Sequence, residues 1–349
     1  MENIRVVVMM GGPSSEHDVS LASGSEVYHA LKSQPAFDVK ALTISRDGHW
    51  TLDSAPPEAL VPSGGSPTGT VSRQGAIRGV SLLAQADVVF LAFHGTFGED
   101  GTLQGLLETL GIPYTGSGPL ASALAMNKAK AKELFQYHGL ATPPGVVLSR
   151  REIQASLSSC AAYVKSRLTY PLVVKPNVGG SSLGAAMVDD AVDLEKALAD
   201  ASRYDLDVLV EERISGREFT CAVLEEMDGQ LRALPVIEII PKSGRFFDFT
   251  AKYQTGAADE ICPAPIPDAM RDTIQHMAIK AHDVLGCEGL SRADMIWTDQ
   301  GPVLLEVNTI PGMTRNSLVP KAARAAGIAF EGLVGHLVRL ALQRQQLRR

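Results

Sequence analysis

Gly289–Gly312, GLSRADMIWTDQGPVLLEVNTIPG, reads as two β-strands joined by a tight turn. Ser291–Trp297 alternates polar and apolar residues, Thr298–Pro302 carries turn formers, and Val303–Asn308 is apolar with two polar interruptions. Pairing Trp297 with Val303 sets Asp294 opposite Glu306 and Arg292 opposite Asn308. Side chains alternate faces with period two. Arg292, Asp294, Glu306 and Asn308 therefore share one face, and Ala293, Met295, Trp297, Leu305 and Val307 the other. Two carboxylates and an amide oxygen on rigid strands make an oxygen-only ligand set that suits Mg²⁺, with waters and substrate phosphates completing the shell. Arg292 beside them suits a developing anion. The same residues also suit an exposed hairpin with a cross-strand Arg–Asp pair. The tail NTIPGMT favours the metal face, because Pro311-Gly312 turns the chain off the strand and brings a backbone N–H close to it.

Upstream, Leu172–Lys175 reads as a strand, followed by the glycine-serine stretch of KPNVGGSSLG and a returning strand Ala185–Val188. Small residues let backbone N–H groups wrap phosphate oxygens, and a lysine at the strand end adds a point charge. The pattern is strand–loop–strand, and GxxxxGK[ST] occurs nowhere. Val208–Glu212, VLVEE, is a strand ending in acids before Arg213–Glu218. An edge that turns there can offer amides and carbonyls to a flat ring, and the pattern would bring it near the lysine loop. Phe246–Pro265 is long, polar-aromatic and irregular, the mark of a lid.

The N-terminal part has a different rhythm. Ile4–Met10 is a β-branched apolar run ending in Gly11-Gly12-Pro13, which predicts a buried parallel strand and a tight turn. Ser15 with Asp18 fits a capping box for the next helix, with Val19, Ala22, Val27, Ala30 and Leu31 on its buried face. A glycine turn entering a helix is an anion-binding arrangement. Glu16 in the first turn either points into that crevice or complements the helix dipole. Ala86–His94 is a further buried strand, and His94 ends it where α/β sheets bind ligands; a histidine bonded to the loop backbone fits the same position. Pro119–Gly139 reads as one helix near a domain boundary, Met313–Pro320 as a loop, and Phe330–Leu347 as a closing amphipathic helix.

The chain has 349 residues, which predicts two or three domains. Hydrophobic content of 45% and charged content of 20% are those of a soluble globular protein. A net charge of −7 without a long basic run argues against nucleic-acid and anionic-membrane partners. Cys160, Cys221, Cys262 and Cys287 have no CxxC spacing, which points to reduced structural cysteines in a cytoplasmic protein and away from zinc. MENIRVVVMMGG lacks the layout of a signal peptide, and no apolar run reaches the roughly 20 residues of a membrane span.

GGPSSEHDVSLASG, HGTFGEDG, KPNVGGSSLG, AKY, SRADMI and LLEVNTIPGMT, in this order along almost the whole chain, resemble the D-alanine–D-alanine ligase family of the ATP-grasp superfamily. The resemblance implies a mixed α/β and α+β fold: a Rossmann-like N-terminal domain (residues 1–127), a central ATP-grasp subdomain (128–216), and a C-terminal one (217–349) with a mobile loop at 246–265. It implies ATP-dependent joining of two D-alanine molecules through an acyl phosphate, in peptidoglycan precursor synthesis. Two Mg²⁺ ions, replaceable by Mn²⁺, and a homodimer are implied with it.

By the same resemblance Glu16 holds the first D-alanine's ammonium and orients Ser181, which bonds Tyr253. His94 lines that site. Lys128, Lys175, Ser181, Ser182 and Lys252 serve the phosphates, and Glu211, Glu212, Ile214 and Glu218 the adenosine. Asp294, Glu306 and Asn308 hold metal, Arg292 and the Gly312 amide face the oxyanion, and Ser317 with Leu318 takes the second D-alanine's carboxylate. Asn127 departs from the family, which commonly has an acid before the lysine. D-lactate or D-serine as second substrate, and a nucleotide-binding module without catalysis, are the alternatives; Tyr253 is typical of the D-alanine enzymes.

Overall fold

The computed structural model describes residues 3–57, 73–180, 183–242 and 258–348. In the N-terminal part lie β1 (Ile4–Gly11), α1 (His17–Lys32), β2 (Phe37–Ile44), β3 (Trp50–Asp53), α2 (Arg73–Leu83), β4 (Val88–Leu91) and α3 (Thr102–Leu110). The sheet order is β3-β2-β1-β4, with β1 parallel to β2 and β4. Burial on both faces explains the unbroken apolar run of β1. Met9 and Leu91 pack with Leu103 and Leu107 of α3 on one face. Val8 and Phe90 pack on the other with Val27 and Leu31 of α1.

The capping expectation fails at α1. Glu16, not Ser15, is the N-cap and makes no side-chain cap bond. The Ser14 hydroxyl instead fixes the turn before the helix, accepting from the Glu16 N–H at 3.1 Å and donating to His94 O at 2.7 Å. Ser20, Ser23 and Gly24 form the buried face in its first half, in place of Val19 and Ala22. These small residues fit because α1 lies close to the strand ends: Ser20 Oγ donates to Ala92 O at 2.7 Å.

Pro119–Gly139 forms two helices, α4 (Pro119–Met126) and α5 (Lys128–Tyr137), not one. The break is at Asn127, whose side-chain oxygen accepts from Lys130 N–H as the N-cap of α5. Next come β5 (Gly145–Ser149), α6 (Arg150–Ala155), α7 (Leu157–Arg167), β6 (Leu172–Pro176), β7 (Ala186–Val188), α8 (Leu194–Ala201) and β8 (Asp207–Glu212). These strands form an antiparallel sheet, β5-β8-β6-β7. Leu172, Val174, Val208 and Val210 pack under α7 and α8. By alternation, Val173, Lys175, Leu209 and Glu211 lie on the other face.

The third sheet contains β9 (Arg217–Glu225), β10 (Leu231–Ala233), β11 (Ile237–Pro241), β12 (Ala258–Ile261), β13 (Leu290–Thr298) and β14 (Gly301–Asn308). Its order is β12-β11-β9-β13-β14, with β10 on β9. Helix α9 (Asp268–Leu285) joins α4 and α5 in covering the face made by Phe219, Cys221, Ala293 and Met295. Helix α10 (Leu318–Ala325) begins inside the stretch expected to be a loop. Leu333, Val334, Leu337 and Val338 of α11 (Phe330–Arg348) close the core of the N-terminal sheet. Among the described residues no single helix is long and apolar enough to cross a membrane.

Candidate active site

The β13–β14 hairpin pairs Arg292 with Asn308 and Asp294 with Glu306, as its sequence predicts. Beyond Asp294 the register shifts by one residue, so Trp297 faces Pro302 and not Val303. Leu305 is the extra residue of this bulge. Leu304, not Leu305, is therefore the fully buried core residue. The bulge keeps the polar pairs on one face while the chain beyond it stays apolar on the other.

Asp294 is held hard. Arg292 grips it with two bonds, Nε to Oδ1 at 2.8 Å and Nη2 to Oδ2 at 2.6 Å. Thr220 Oγ1 donates to Oδ1 at 2.6 Å and Asn308 Nδ2 to Oδ2 at 3.0 Å. Four bonds fill a carboxylate's accepting capacity, so a cation at Asp294 takes the place of at least one donor. With its nitrogen on Asp294, the Asn308 amide has its oxygen left to offer a cation. Among the described residues no three His, Cys, Asp or Glu side chains gather as a metal set. Two carboxylates and one amide fit a divalent cation whose other ligands are phosphate oxygens. Glu218 is paired with Ile296 and Thr220 with Asp294 on β9, which puts both on this same face.

The second wall is the face of the β5-β8-β6-β7 sheet turned away from α7 and α8. Lys175 Nζ lies 2.7 Å from Glu211 Oε2, and Lys132 of α5 pairs with Oε1 of the same carboxylate. Burial pushes the Lys132 ammonium down to about 8 against the pull of Glu211. Burial also acts against Lys175, but Glu211 and then Glu306 outweigh it and raise that group. Burial disfavours the Glu211 charge, yet Lys175 and Lys132 hold its carboxyl below the usual range. Glu306 of the hairpin wall acts to raise both lysines, so the two walls are electrostatically coupled. Glu212 accepts from Thr169 N–H at 2.7 Å, and Ile214 is half-buried in the segment that follows β8.

Helix α5 clamps the glycine loop. Lys128 Nζ donates to Gly179 O at 2.6 Å, Ala129 N–H to Asn177 Oδ1 at 2.8 Å, and Asn177 Nδ2 to Asn127 Oδ1 at 2.9 Å. Asn127 thus serves as cap and loop anchor at once. Ser181, Ser182, Lys252 and Tyr253 lie outside the described residues, as does the expected lid up to residue 257; beyond it β12 replaces irregular chain.

Glu16 is buried at the junction of these parts. A Cβ on Gly180 would overlap its carboxylate, and one on Gly95 would lie 2.6 Å from Oε2. The N-terminal part therefore meets the glycine loop through Glu16. His94 is buried, with its ring 3.0 Å from Ser23 Oγ; burial lowers its pKa against the opposing Glu16 carboxylate. Gly312 and Ser317 adjoin: a Cβ on Gly312 would stand 3.0 Å from Ser317 Oγ, which accepts from Thr314 N–H at 3.2 Å. Leu318 opens α10 beside it.

Two residues escaped the sequence reading. Lys132 sits one helical turn after Lys128 on α5, so the i, i+4 spacing was its available signal. Glu99 lies in HGTFGEDG beside Glu16, where burial and then that carboxylate push it up to about 8.

Two antiparallel sheets, one bearing lysines and the other an oxygen ligand set with an arginine, coupled through Glu306, define an ATP-grasp enzyme. Family models described as D-ala D-ala ligase N-terminus and C-terminus match residues 5–117 and 134–339. A D-alanine–D-alanine ligase of Pelotomaculum thermopropionicum is 42% identical over 348 residues, covering 99% of both chains. One from Mycolicibacterium vanbaalenii is 39% identical, covering 98% of both. The chain belongs to the D-alanine–D-alanine ligase family and is an ATP-dependent ligase. Among solved structures, the VanG D-Ala:D-Ser ligase of Enterococcus faecalis superposes with a TM-score of 0.79 at 34% identity, covering 97% of this chain and 100% of that one. The D-alanine–D-alanine ligase of Coxiella burnetii gives 0.80 at 27% identity, covering 100% and 96%.

Proposed function

We propose that the protein joins two D-alanine molecules at the expense of ATP, through an acyl phosphate, to make a peptidoglycan precursor in the cytoplasm. The carboxylate oxygen of the first D-alanine attacks the γ-phosphorus, the bond to the β-phosphate oxygen breaks, and ADP leaves. The amine of the second D-alanine then attacks the acyl carbon, phosphate departs, and the nitrogen loses a proton.

Two anions meet in the first step, so charge neutralisation is the main task. Lys128 and Lys175 act on the phosphates, and Lys252 joins them from the loop. Magnesium ions held by Asp294, Glu306 and Asn308 would supply further neutralisation of the β- and γ-phosphate oxygens. Glu211, Glu212, Ile214 and Glu218 take the adenosine. Glu16 receives the first ammonium beside His94 and orients Ser181 toward Tyr253, while Ser182 covers phosphate. Arg292 and the Gly312 N–H face the oxyanion of the second step, where losing one such donor costs about 2.7–4 kcal/mol of barrier. Ser317 and Leu318 take the second carboxylate.

The observation that carries this reading is that the Arg292–Asp294–Glu306–Asn308 face acts electrostatically, through Glu306, on the lysines of the Lys175–Glu211–Lys132 cluster. Incubation with ATP, Mg²⁺ and D-alanine is expected to give ADP and D-alanyl-D-alanine in equal amounts. ADP without dipeptide would overturn it. Likeness to the VanG enzyme supports D-serine as a second reading; competition between D-serine and D-alanine as acceptors decides between them. A homodimer is the proposed assembly, and sedimentation tests it.

A further inference from the structure

We propose that Asn177 is a positioning residue for the nucleotide phosphates: its backbone and side-chain amide fasten the start of α5 to the end of β6, and thereby hold Lys128 in a fixed relation to Lys175. The proposal rests on the ligase reading above, in which both lysines meet phosphate.

Asn177 is a polar residue only 2% exposed, in the first position after β6. Its bonds run in two directions. Toward β8, Asn177 N–H donates to Asp207 O at 3.0 Å, and the next residue repeats the tie, Val178 N–H donating to Asp205 Oδ2 at 2.6 Å. Toward α5, Asn177 O accepts from Lys128 N–H at 3.2 Å, Oδ1 accepts from Ala129 N–H at 2.8 Å, and Nδ2 donates to Asn127 Oδ1 at 2.9 Å. The backbone donor, the backbone acceptor and both ends of the amide are all engaged. A buried amide bonded in this way is held in one orientation, because turning it would leave polar atoms unpaired.

The start of α5 does not serve as a phosphate cradle. A helix N-terminus ordinarily offers its first N–H groups to an anion. Here Lys128 and Ala129 give theirs to Asn177, Lys130 gives its own to Asn127 Oδ1 at 3.0 Å, and Ala131 to Asn127 O at 2.9 Å. Helix α5 therefore contributes by placing a side chain. Lys128 Nζ donates to Gly179 O at 2.6 Å, two residues beyond Asn177. On the other side only Pro176, whose φ is fixed, separates Asn177 from Lys175.

The joint also connects the two walls. Ala131 and Phe135 of α5 pack in one core with Phe219 of β9 and Met295 of β13. The grip of Asn177 on α5 thus ties the lysine sheet to the body that carries the Asp294–Glu306 hairpin, at the helix that bears Lys128 and Lys132.

Asn177→Ala is expected to weaken ATP binding about tenfold, the scale of one buried hydrogen bond, in calorimetric titration with Mg²⁺ present. In dipeptide synthesis KM for ATP should rise by a similar factor while KM for D-alanine stays within about twofold. Because Asn177 acts through Lys128, the two substitutions should not add. With Lys128→Met alone costing about 10²-fold in ATP affinity, the double variant should lie within about threefold of it. Full additivity overturns the proposal, as does an ATP affinity in Asn177→Ala within about twofold of the unsubstituted protein. A parallel rise of both KM values with a lowered melting temperature overturns it too, because it marks a merely structural role. Where Asn177→Ala does not fold, Asn177→Ser, which keeps an acceptor near Ala129 N–H, gives the same readings with about threefold in place of tenfold. The titration needs no turnover. If the unsubstituted protein binds ATP but makes no dipeptide, the ligase reading has failed, and the affinity comparison still decides the role of Asn177.

Discussion

The two cleft walls solve the burial of charge in opposite ways. On the β6–β8 wall one carboxylate, Glu211, is shared by two lysines, leaving one positive charge over. On the β13–β14 wall one guanidinium, Arg292, serves a face with Asp294 and Glu306, to which β9 adds Glu218, leaving negative charge in excess. Neither wall is neutral alone, and they are coupled through Glu306. A polyphosphate with divalent cations matches both excesses: its oxygens meet the lysines and its cations meet the carboxylates. Buried charges of this kind are poor stabilisers, because desolvation offsets most of the attraction. The arrangement is explained by ligand binding better than by stability.

Four substitutions break or sharpen this contrast. Glu306→Gln lowers the surplus of the carboxylate wall, and we expect kcat to fall roughly 10³-fold or more while the thermal unfolding curve is kept. Retained turnover at saturating Mg²⁺ would refute the metal assignment. Glu211→Ala acts on the other wall and leaves two buried ammonium groups without their carboxylate. Urea denaturation is expected to show a loss of about 3–5 kcal/mol; a stability like that of the unsubstituted protein would mean the pair is not held as described.

The third concerns the same residue type in the opposite surroundings. Glu211, between lysines, is held ionised, whereas Glu99, beside Glu16, is pushed from 4.5 up to about 8. Between these two values the folded chain binds more protons at Glu99 than the unfolded chain does. Its contribution to stability is therefore present at low pH and declines as pH rises toward 8. In Glu99→Gln that part of the decline should vanish from a series of denaturation curves, and an unaltered slope would contradict the shift. The smallest effect is expected at Lys132, lowered from 10.5 to about 8. Between those values the unfolded chain binds more protons, so stability should gain from this group as pH rises through the interval. Lys132→Met should lack that gain, read in the same way at alkaline pH.

How much of this the sequence carried differs from one part of the site to another. The hairpin was legible because period-two alternation and one turn suffice to put Arg292, Asp294, Glu306 and Asn308 side by side. Its bulge was not, since skipping Leu305 leaves the apolar pattern of Val303–Val307 almost unchanged and only packing selects Leu304 for the core. Glu16 was legible as a residue at a helix start, but the capping box is absent: α1 has no side-chain cap, and the turn before it is fixed by Ser14, which bonds the backbone of His94, eighty residues away. The break at Asn127 was hidden inside a strongly helical run, and its second partner, Asn177, lies in another sheet's loop.

The sequence by itself determined the elements that rest on local periodicity: the parallel first strand, the metal-face hairpin, the acidic strand end at Glu211 and the glycine loop after Lys175. Tertiary structure alone decided the pairings across long separations. It put Lys132 on Glu211, Glu16 against Gly180, and Ser14 on the backbone of His94. The physical reason is range. Alternation and helix spacing act over a few residues, whereas a buried charge or backbone donor is satisfied by whichever chain segment the packing of three sheets brings within hydrogen-bond distance.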